Sequence, residues 1–370
     1  MSVTSIPLVD LAPQHAEVAE EVARGFARVM AASAYILGPE VAEFERAFAA
    51  HCGVQHCVGV GNGTDAIELM LRAAGVGPGD EVLVPANTFI ATALGVLRAG
   101  ARPVPVDCDR WFLMDPRRIE ERISPRTRAL LPVHLFGQFA DMEAICEIGA
   151  RHGLLVFEDA AQAQGARRGG RGCGGFGAAA ATSFYPGKNL GAYGDGGAVL
   201  TASADLASRL RRLRNWGSER KYHHPEIGFN SRLDTLQAVV LAAKLRRLDA
   251  WNEARRRAAA RYDERLATID GVELPRTLPG NEHVYHLYVV RVPRRDQVLE
   301  KLAAEGIGAG VHYPTPLHLH GALAHLGHRR GDFPEAERAA AEILSLPLDP
   351  HLSAAQQDRV ASCLARALAP

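Results

Sequence analysis

Lys188 stands in the run SFYPGKNLGAYGDGG (residues 183–197), after Pro186 and Gly187 and before Gly191, Gly194, Gly196 and Gly197. Proline and glycine hold the backbone ahead of the amine, and the later glycines permit positive φ or close approach of a ligand. A lysine amine in such a turn attacks carbonyl carbon to form a Schiff base once burial or a nearby cation lowers its pKa. The bland reading of the same residue is a solvated loop charge. Upstream, LLVFED (154–159) reads as a buried strand ending on two carboxylates, Glu158 and Asp159, followed by small residues and Gln162. An ionised carboxylate there is costly unless it meets a cation. A protonated pyridine nitrogen is one such cation, and the pairing makes that ring an electron sink; an Asp159 that caps the next helix is the alternative. In GVGNGTDAIELML (59–71), glycines and Thr64 open an amphipathic helix. Helix N-termini offer unpaired N–H groups to phosphates, although Asn62 or Thr64 could equally be a plain N-cap. No GK[ST] follows, so this is not a Walker A loop.

These three segments need a scaffold that brings loop ends together. Between about 54 and 200, short apolar runs alternate with helical patterns: EVLVP (81–85), PVPV (103–106), ALLPV (129–133) and LLVFED, each bounded by Gly or Pro. Alternation of this kind predicts a mostly parallel sheet covered on both faces, with ligands at the carboxyl ends of its strands. A long helical pattern over 233–267 is expected to link this part to a smaller α+β part. The latter is built from HVYHLYVVRV (283–292), IGAGVHY (307–313) and helices near 296–305, from Pro334 and from Ser353. With 370 residues, two domains are expected.

Composition narrows the function by exclusion. Lys plus Arg and Asp plus Glu both number 42, which leaves no net field for a polyanion or a membrane surface. The arginine-rich stretches 209–214 and 255–261 read as solvated helix faces. Six cysteines without a CxxC pair fit neither a disulfide framework nor a zinc knuckle, so reduced thiols and a cytoplasmic location are expected. The N-terminus lacks a basic region followed by an apolar run, and no stretch approaches the ~20 apolar residues of a bilayer span.

Two further patterns are set aside. GRGCGGFG (170–177) satisfies GxGxxG, but it follows Arg167 and Arg168 and leads into the strand-like AAAATSF, the wrong context for a dinucleotide fingerprint. His312, His318, His320, His325 and His328 have no metal-ligand spacing, so they are expected to face solvent or substrate from a loop, with no metal.

Taken together, NGTDAI, VPANTFIAT, PVHLFGQ, EDAAQAQGA, SFYPGKNLGAYGDGG and GFNSRLDTLQA resemble the sugar aminotransferases of the DegT/DnrJ/EryC1/StrS family, in that family's order and over nearly the whole chain. NSRLD and PGKNLGAYGDGG carry a narrower likeness to the 3-aminotransferases of dTDP-3-keto-6-deoxyhexoses. The resemblance implies an α/β architecture of fold type I, like aspartate aminotransferase. It would have a large domain over 1–250, a small C-terminal α+β domain over 251–370, and a homodimer with active sites shared at the interface. It further implies pyridoxal 5′-phosphate as a Schiff base on Lys188, with Asp159 on the ring nitrogen and Gln162 on the ring hydroxyl. Gly63, Thr64 and Ser183 would hold the phosphate, Asn230 would reach it from the neighbouring subunit, and Phe89 would stack on the ring. Freed Lys188 would shuttle the proton, L-glutamate would be the amino donor, and Tyr185, Lys221, His312 and Tyr313 would meet the nucleotide sugar. Alternatives with the same fold are amination at C4, a cyclitol ketone as acceptor, or a non-catalytic cofactor-binding regulator. Dehydratase relatives carry histidine in place of the lysine, and Lys188 argues against that branch.

Overall fold

The computed structural model describes residues 5–369. Its centre is a seven-stranded sheet of β1 (His56–Val60), β2 (Glu81–Pro85), β3 (Arg102–Val106), β4 (Thr127–Leu130), β5 (Leu155–Asp159) and, past a two-residue strand β6 (Arg167–Arg168), β7 (Ala179–Ser183) and β8 (Gly197–Thr201). The order is β1-β8-β7-β5-β4-β2-β3. Only β8 runs against its neighbours; the other pairings are parallel, as the alternating pattern predicts. Strands β2 and β8 are buried along their whole length, which is why EVLVP and GAVLT are apolar runs and not alternating ones.

Helices cover both faces. After α1 (Ala12–Ala32) come α2 (Pro39–Cys52), α3 (Gly63–Ala73), α4 (Ile90–Ala99), α5 (Met142–His152) and α6 (Ala204–Leu213). Val41, Phe44 and Phe48 of α2 and Met142, Ile145 and Ile148 of α5 pack into one core. Ile67 and Met70 of α3, Val96 of α4 and Leu210 of α6 pack into the other.

The single long helix expected over 233–267 is two helices, α7 (Thr235–Leu245) and α8 (Leu248–Leu266). No proline or glycine causes the break; the helices answer to different partners. α7 packs on α1 and α2, whereas α8 packs on the C-terminal helix. The remaining elements are β9 (Asn281–Glu282), β10 (Tyr288–Arg291), α9 (Arg295–Ala304), α10 (Pro334–Glu342), β11 (Ile343–Leu346) and α11 (Ala354–Leu368). β10 and β11 pair antiparallel, and a third core gathers Tyr262, Val290, Leu302, Leu344 and Leu364. Ile6 joins that core and bridges Ile307, so the N-terminal segment is fastened to the C-terminal part.

The apolar run 283–292 becomes a strand only from Tyr288, because Tyr285 takes a positive φ and the chain before it turns aside to donate Val284 N–H to the Gly137 carbonyl. IGAGVHY contributes isolated bridges and no strand. Two of the arginines expected at the surface are buried: Arg214 pairs with Glu45 and donates to the Gly59 carbonyl, and Arg255 donates to the carbonyls of Leu348 and Tyr285. Runs of arginine on a helix mark a solvated face on average, but a helix between two cores turns some of them inward. All six cysteines are unpaired. Among the described residues, no helix is long and apolar enough to cross a membrane.

Candidate active site

Strands β1, β2, β5 and β7 end at one edge of the sheet, and the loops that leave them enclose a cavity of about 1020 Å³. Lys188, Asp159, Gln162 and Phe89 line it, as do Gly63, Thr64 and Ser183. Tyr185, His312 and Tyr313 complete the wall. This is the carboxyl edge, where the parallel pattern places a ligand.

Asp159, the last residue of β5, is buried. Its Oδ2 accepts from Thr92 Oγ1 at 2.8 Å and its Oδ1 from the Ala161 N–H at 3.1 Å. Burial raises its pKa, against the pull of those two donors and of Lys188. The carboxylate is therefore held in place but left short of positive charge. Lys188 follows the tight turn that its own N–H closes onto the Tyr185 carbonyl. Burial lowers its amine from 10.5 to about 8, with Asp159 pulling the other way. Near neutral pH such an amine is far closer to its nucleophilic form than a surface lysine is.

Gly63 is the first residue of α3, capped by Asn62, whose Oδ1 accepts from the Asp65 N–H at 2.9 Å. The amides of Gly63 and Thr64 belong to the turn that has no intrahelical acceptor. A Cβ on Gly63 would lie 2.6 Å from Ser183 Cβ, and one on Gly197 would lie 2.4 Å from the Asn62 carbonyl. These two glycines let the starts of α3 and β8 and the end of β7 close on one point, a cradle for an oxyanion.

Phe89 is 50% exposed at the cavity, 5.0 Å from the ring of Tyr313. Gln162 Oε1 accepts from the Phe136 N–H at 2.6 Å, and Nε2 donates to Tyr313 Oη at 3.1 Å. One amide proton of Gln162 is left over. His312 Nδ1 lies 2.8 Å from Ser345 Oγ, and burial next to Lys188 lowers its pKa to about 4.

Lys221 and Asn230 do not line the cavity of their own chain. Both are exposed, Lys221 with its amine over the Tyr222 ring at 5.1 Å and Asn230 bridged to Asn215. The stretch between them carries Tyr222 and Ile227, 84% and 91% exposed.

Several residues at or under the site were not singled out from the sequence. Thr92 closes the VPANTFIAT segment, and only its position in that segment signals it. His286 lines the cavity because the bend at Tyr285 turns it there. The glycine run 170–177 has a structural use: the N–H groups of Gly174, Phe176 and Gly177 donate to the buried Glu158 carboxylate, which also meets His134 Nε2 at 3.1 Å. His318, expected to face solvent or substrate, is buried against Phe333 and paired with Glu337 Oε1 at 2.9 Å. Among the described residues, no three His, Cys, Asp or Glu side chains gather to hold a metal.

The donor set fits pyridoxal 5′-phosphate. A half-exposed phenyl face, a buried carboxylate hydrogen-bonded only by neutral donors, a lysine amine lowered to about 8 and an amide-lined oxyanion cradle share one cavity. A model of the DegT/DnrJ/EryC1/StrS aminotransferase family matches residues 16–365. The chain is 50% identical over 356 residues, 96% of its length and 94% of the relative's, to a dTDP-3-amino-3,4,6-trideoxy-alpha-D-glucose transaminase of Streptomyces venezuelae. It is 48% identical over 364 residues, 98% of both lengths, to a protein of Geobacillus stearothermophilus named as a pleiotropic regulatory protein. The crystal structure of S. venezuelae DesV in complex with a ketimine intermediate superposes with a TM-score of 0.96 at 49% identity, covering 98% of each chain.

Proposed function

The chain belongs to the DegT/DnrJ/EryC1/StrS aminotransferase family, and from that membership and the cavity we propose that it transaminates a nucleotide-linked keto sugar. The substrate we infer is a dTDP-3-keto-6-deoxyhexose, aminated at C3 with L-glutamate as donor. The observation that carries the reading is the convergence of Lys188, Asp159 and the start of α3 on one cavity. The transaminase named among its relatives, 50% identical over 356 residues, favours this reading over a regulator that only binds the cofactor.

Pyridoxal phosphate supplies the electron sink that makes the α-proton of an amino acid removable. Lys188 Nζ takes that proton from the amino donor in one half-reaction and returns a proton to the sugar carbon in the other. Asp159, fixed by Thr92 Oγ1 and the Ala161 N–H, keeps the ring nitrogen protonated. The amides of Gly63 and Thr64 with the Ser183 hydroxyl would hold the phosphate, and the spare amide proton of Gln162 would serve the ring hydroxyl. Phe89 would offer its face to the ring. Tyr185, His312 and Tyr313 stand where the sugar enters.

Lys221 and Asn230 are best placed to complete the cavity of a second copy. The exposed Tyr222 and Ile227 between them offer apolar surface that a second copy could cover in a homodimer with shared sites. The six free thiols support a reducing cytoplasmic setting.

The test is to convert the holoenzyme to its amine form with L-glutamate and add candidate ketones. The yellow colour of the starting enzyme returns with dTDP-3-keto-6-deoxyhexoses on this reading. Return with a cyclitol ketone and with no nucleotide sugar would overturn it.

A further inference from the structure

His286 is buried, lines the cavity and has one hydrogen-bond partner, Asn189 Oδ1, at 3.3 Å from its Nδ1. Which ring nitrogen carries the proton follows from the groups behind it. Asn252 Nδ2 donates to the Gln164 carbonyl at 2.9 Å, which leaves Asn252 Oδ1 as an acceptor. That oxygen takes Asn189 Nδ2 at 2.8 Å, and the same nitrogen also donates to the Val284 carbonyl at 3.0 Å. An amide nitrogen facing two carbonyl oxygens fixes the orientation of Asn189, so its Oδ1 is what meets His286. An oxygen of that kind cannot donate; the proton of the pair sits on His286 Nδ1.

The ring stays neutral: burial, with Lys188, Arg255 and His312 nearby, pushes its pKa well below the ordinary value. Nε2 is then a lone pair with no hydrogen-bond partner among the described residues, on a ring that lines the cavity. Lys188 lines the same cavity, but the hydrogen bond of the His286 ring goes to Asn189 and not to the lysine amine. Phosphate and carboxylate oxygens offer no proton to such an acceptor. Ring hydroxyls do.

We propose that His286 is a sugar-recognising residue, locked by the Asn252–Asn189 relay in the Nδ1–H tautomer so that Nε2 accepts a hydrogen bond from a ring hydroxyl of the acceptor sugar. The choice of a sugar rests on the transaminase reading above; the tautomer does not. Bound sugar is oriented against a fixed acceptor, and Asn189, the residue next to Lys188, ties that acceptor to the lysine's loop.

Two measurements test it. Nitrogen NMR of the full chain labelled on histidine, with His286→Asn identifying the signal, should show Nδ1 protonated and Nε2 bare. In the holoenzyme, His286→Asn keeps a donor toward Asn189 but removes the cavity acceptor. Its loss in the half-reaction with a dTDP-3-keto-6-deoxyhexose should exceed its loss with L-glutamate by about tenfold, the value of one hydrogen bond near 1.4 kcal/mol. His286→Gln, whose amide oxygen reaches further into the cavity, should recover part of the difference. A proton found on Nε2, or equal losses in both half-reactions, would overturn the proposal. If the unaltered holoenzyme aminates no nucleotide keto sugar, the function reading fails and takes the sugar with it, whereas the NMR result still decides the tautomer.

Discussion

Lys188 works because folding removes water from its amine, and the consequence is measurable before any substrate is found. Only the neutral amine attacks an aldehyde, and burial moves its pKa from 10.5 to about 8. The cofactor-free chain should therefore bind pyridoxal phosphate covalently at a rate that rises with pH through about 8 and then levels. Stopped-flow absorbance checks this; a profile still climbing toward 10.5 would mean that the amine is not desolvated. Asp159 is tuned from the other side by Thr92 Oγ1, which itself meets Thr88 Oγ1 at 2.9 Å. Thr92→Val preserves the side chain's shape and strips one hydrogen bond from the carboxylate. We expect the glutamate half-reaction to slow by about tenfold, with Thr92→Ser restoring most of it. An unchanged rate in Thr92→Val would show that Asp159 needs no such support.

Among the elements, the connection from β5 to β7 sets the depth of the site, and Glu158 anchors it. Its carboxylate is fully buried and gathers three backbone N–H groups together with His134. Glu158→Ala would strand those donors without water, so a loss of about 3 kcal/mol or more is expected in the unfolding free energy from denaturant titration. Glu158→Gln keeps acceptor oxygen and should lose less. Strands of the large sheet were legible because each is an apolar run closed by proline or glycine, and EVLVP is β2 residue for residue. Lys188, Asp159 and the α3 start were legible because lysine, carboxylate and glycine turns have few shared uses. What stayed hidden depends on tertiary direction. Nothing local says that Arg255 points inward, that α7 and α8 part at Arg246, or that Tyr285 turns His286 into the cavity. The service of residues 170–177 to Glu158 needed coordinates, since any carboxylate could have been the one the glycine run wraps.

At the scale of the whole molecule, the large and small parts that we propose to divide near residue 250 meet around the cavity, where Ser345 of β11 holds the His312 ring. The homodimer that we propose makes a separate prediction. If Asn230 serves the partner's site, a dimer mixing Lys188→Ala subunits with Asn230→Ala subunits has one site carrying both defects and one carrying neither. Mixing the two weakened variants after reversible dissociation should then raise activity above their mean. Activity that stays at the mean would place Asn230 outside the site. The central claim, that this cavity exists to carry pyridoxal phosphate on one lysine, is tested most directly by reducing the yellow holoenzyme with borohydride and mapping the modified peptide by mass spectrometry. The adduct should fall on Lys188 alone and vanish, with transamination, in Lys188→Ala. An adduct on another lysine, or normal transamination by Lys188→Ala, would contradict the account.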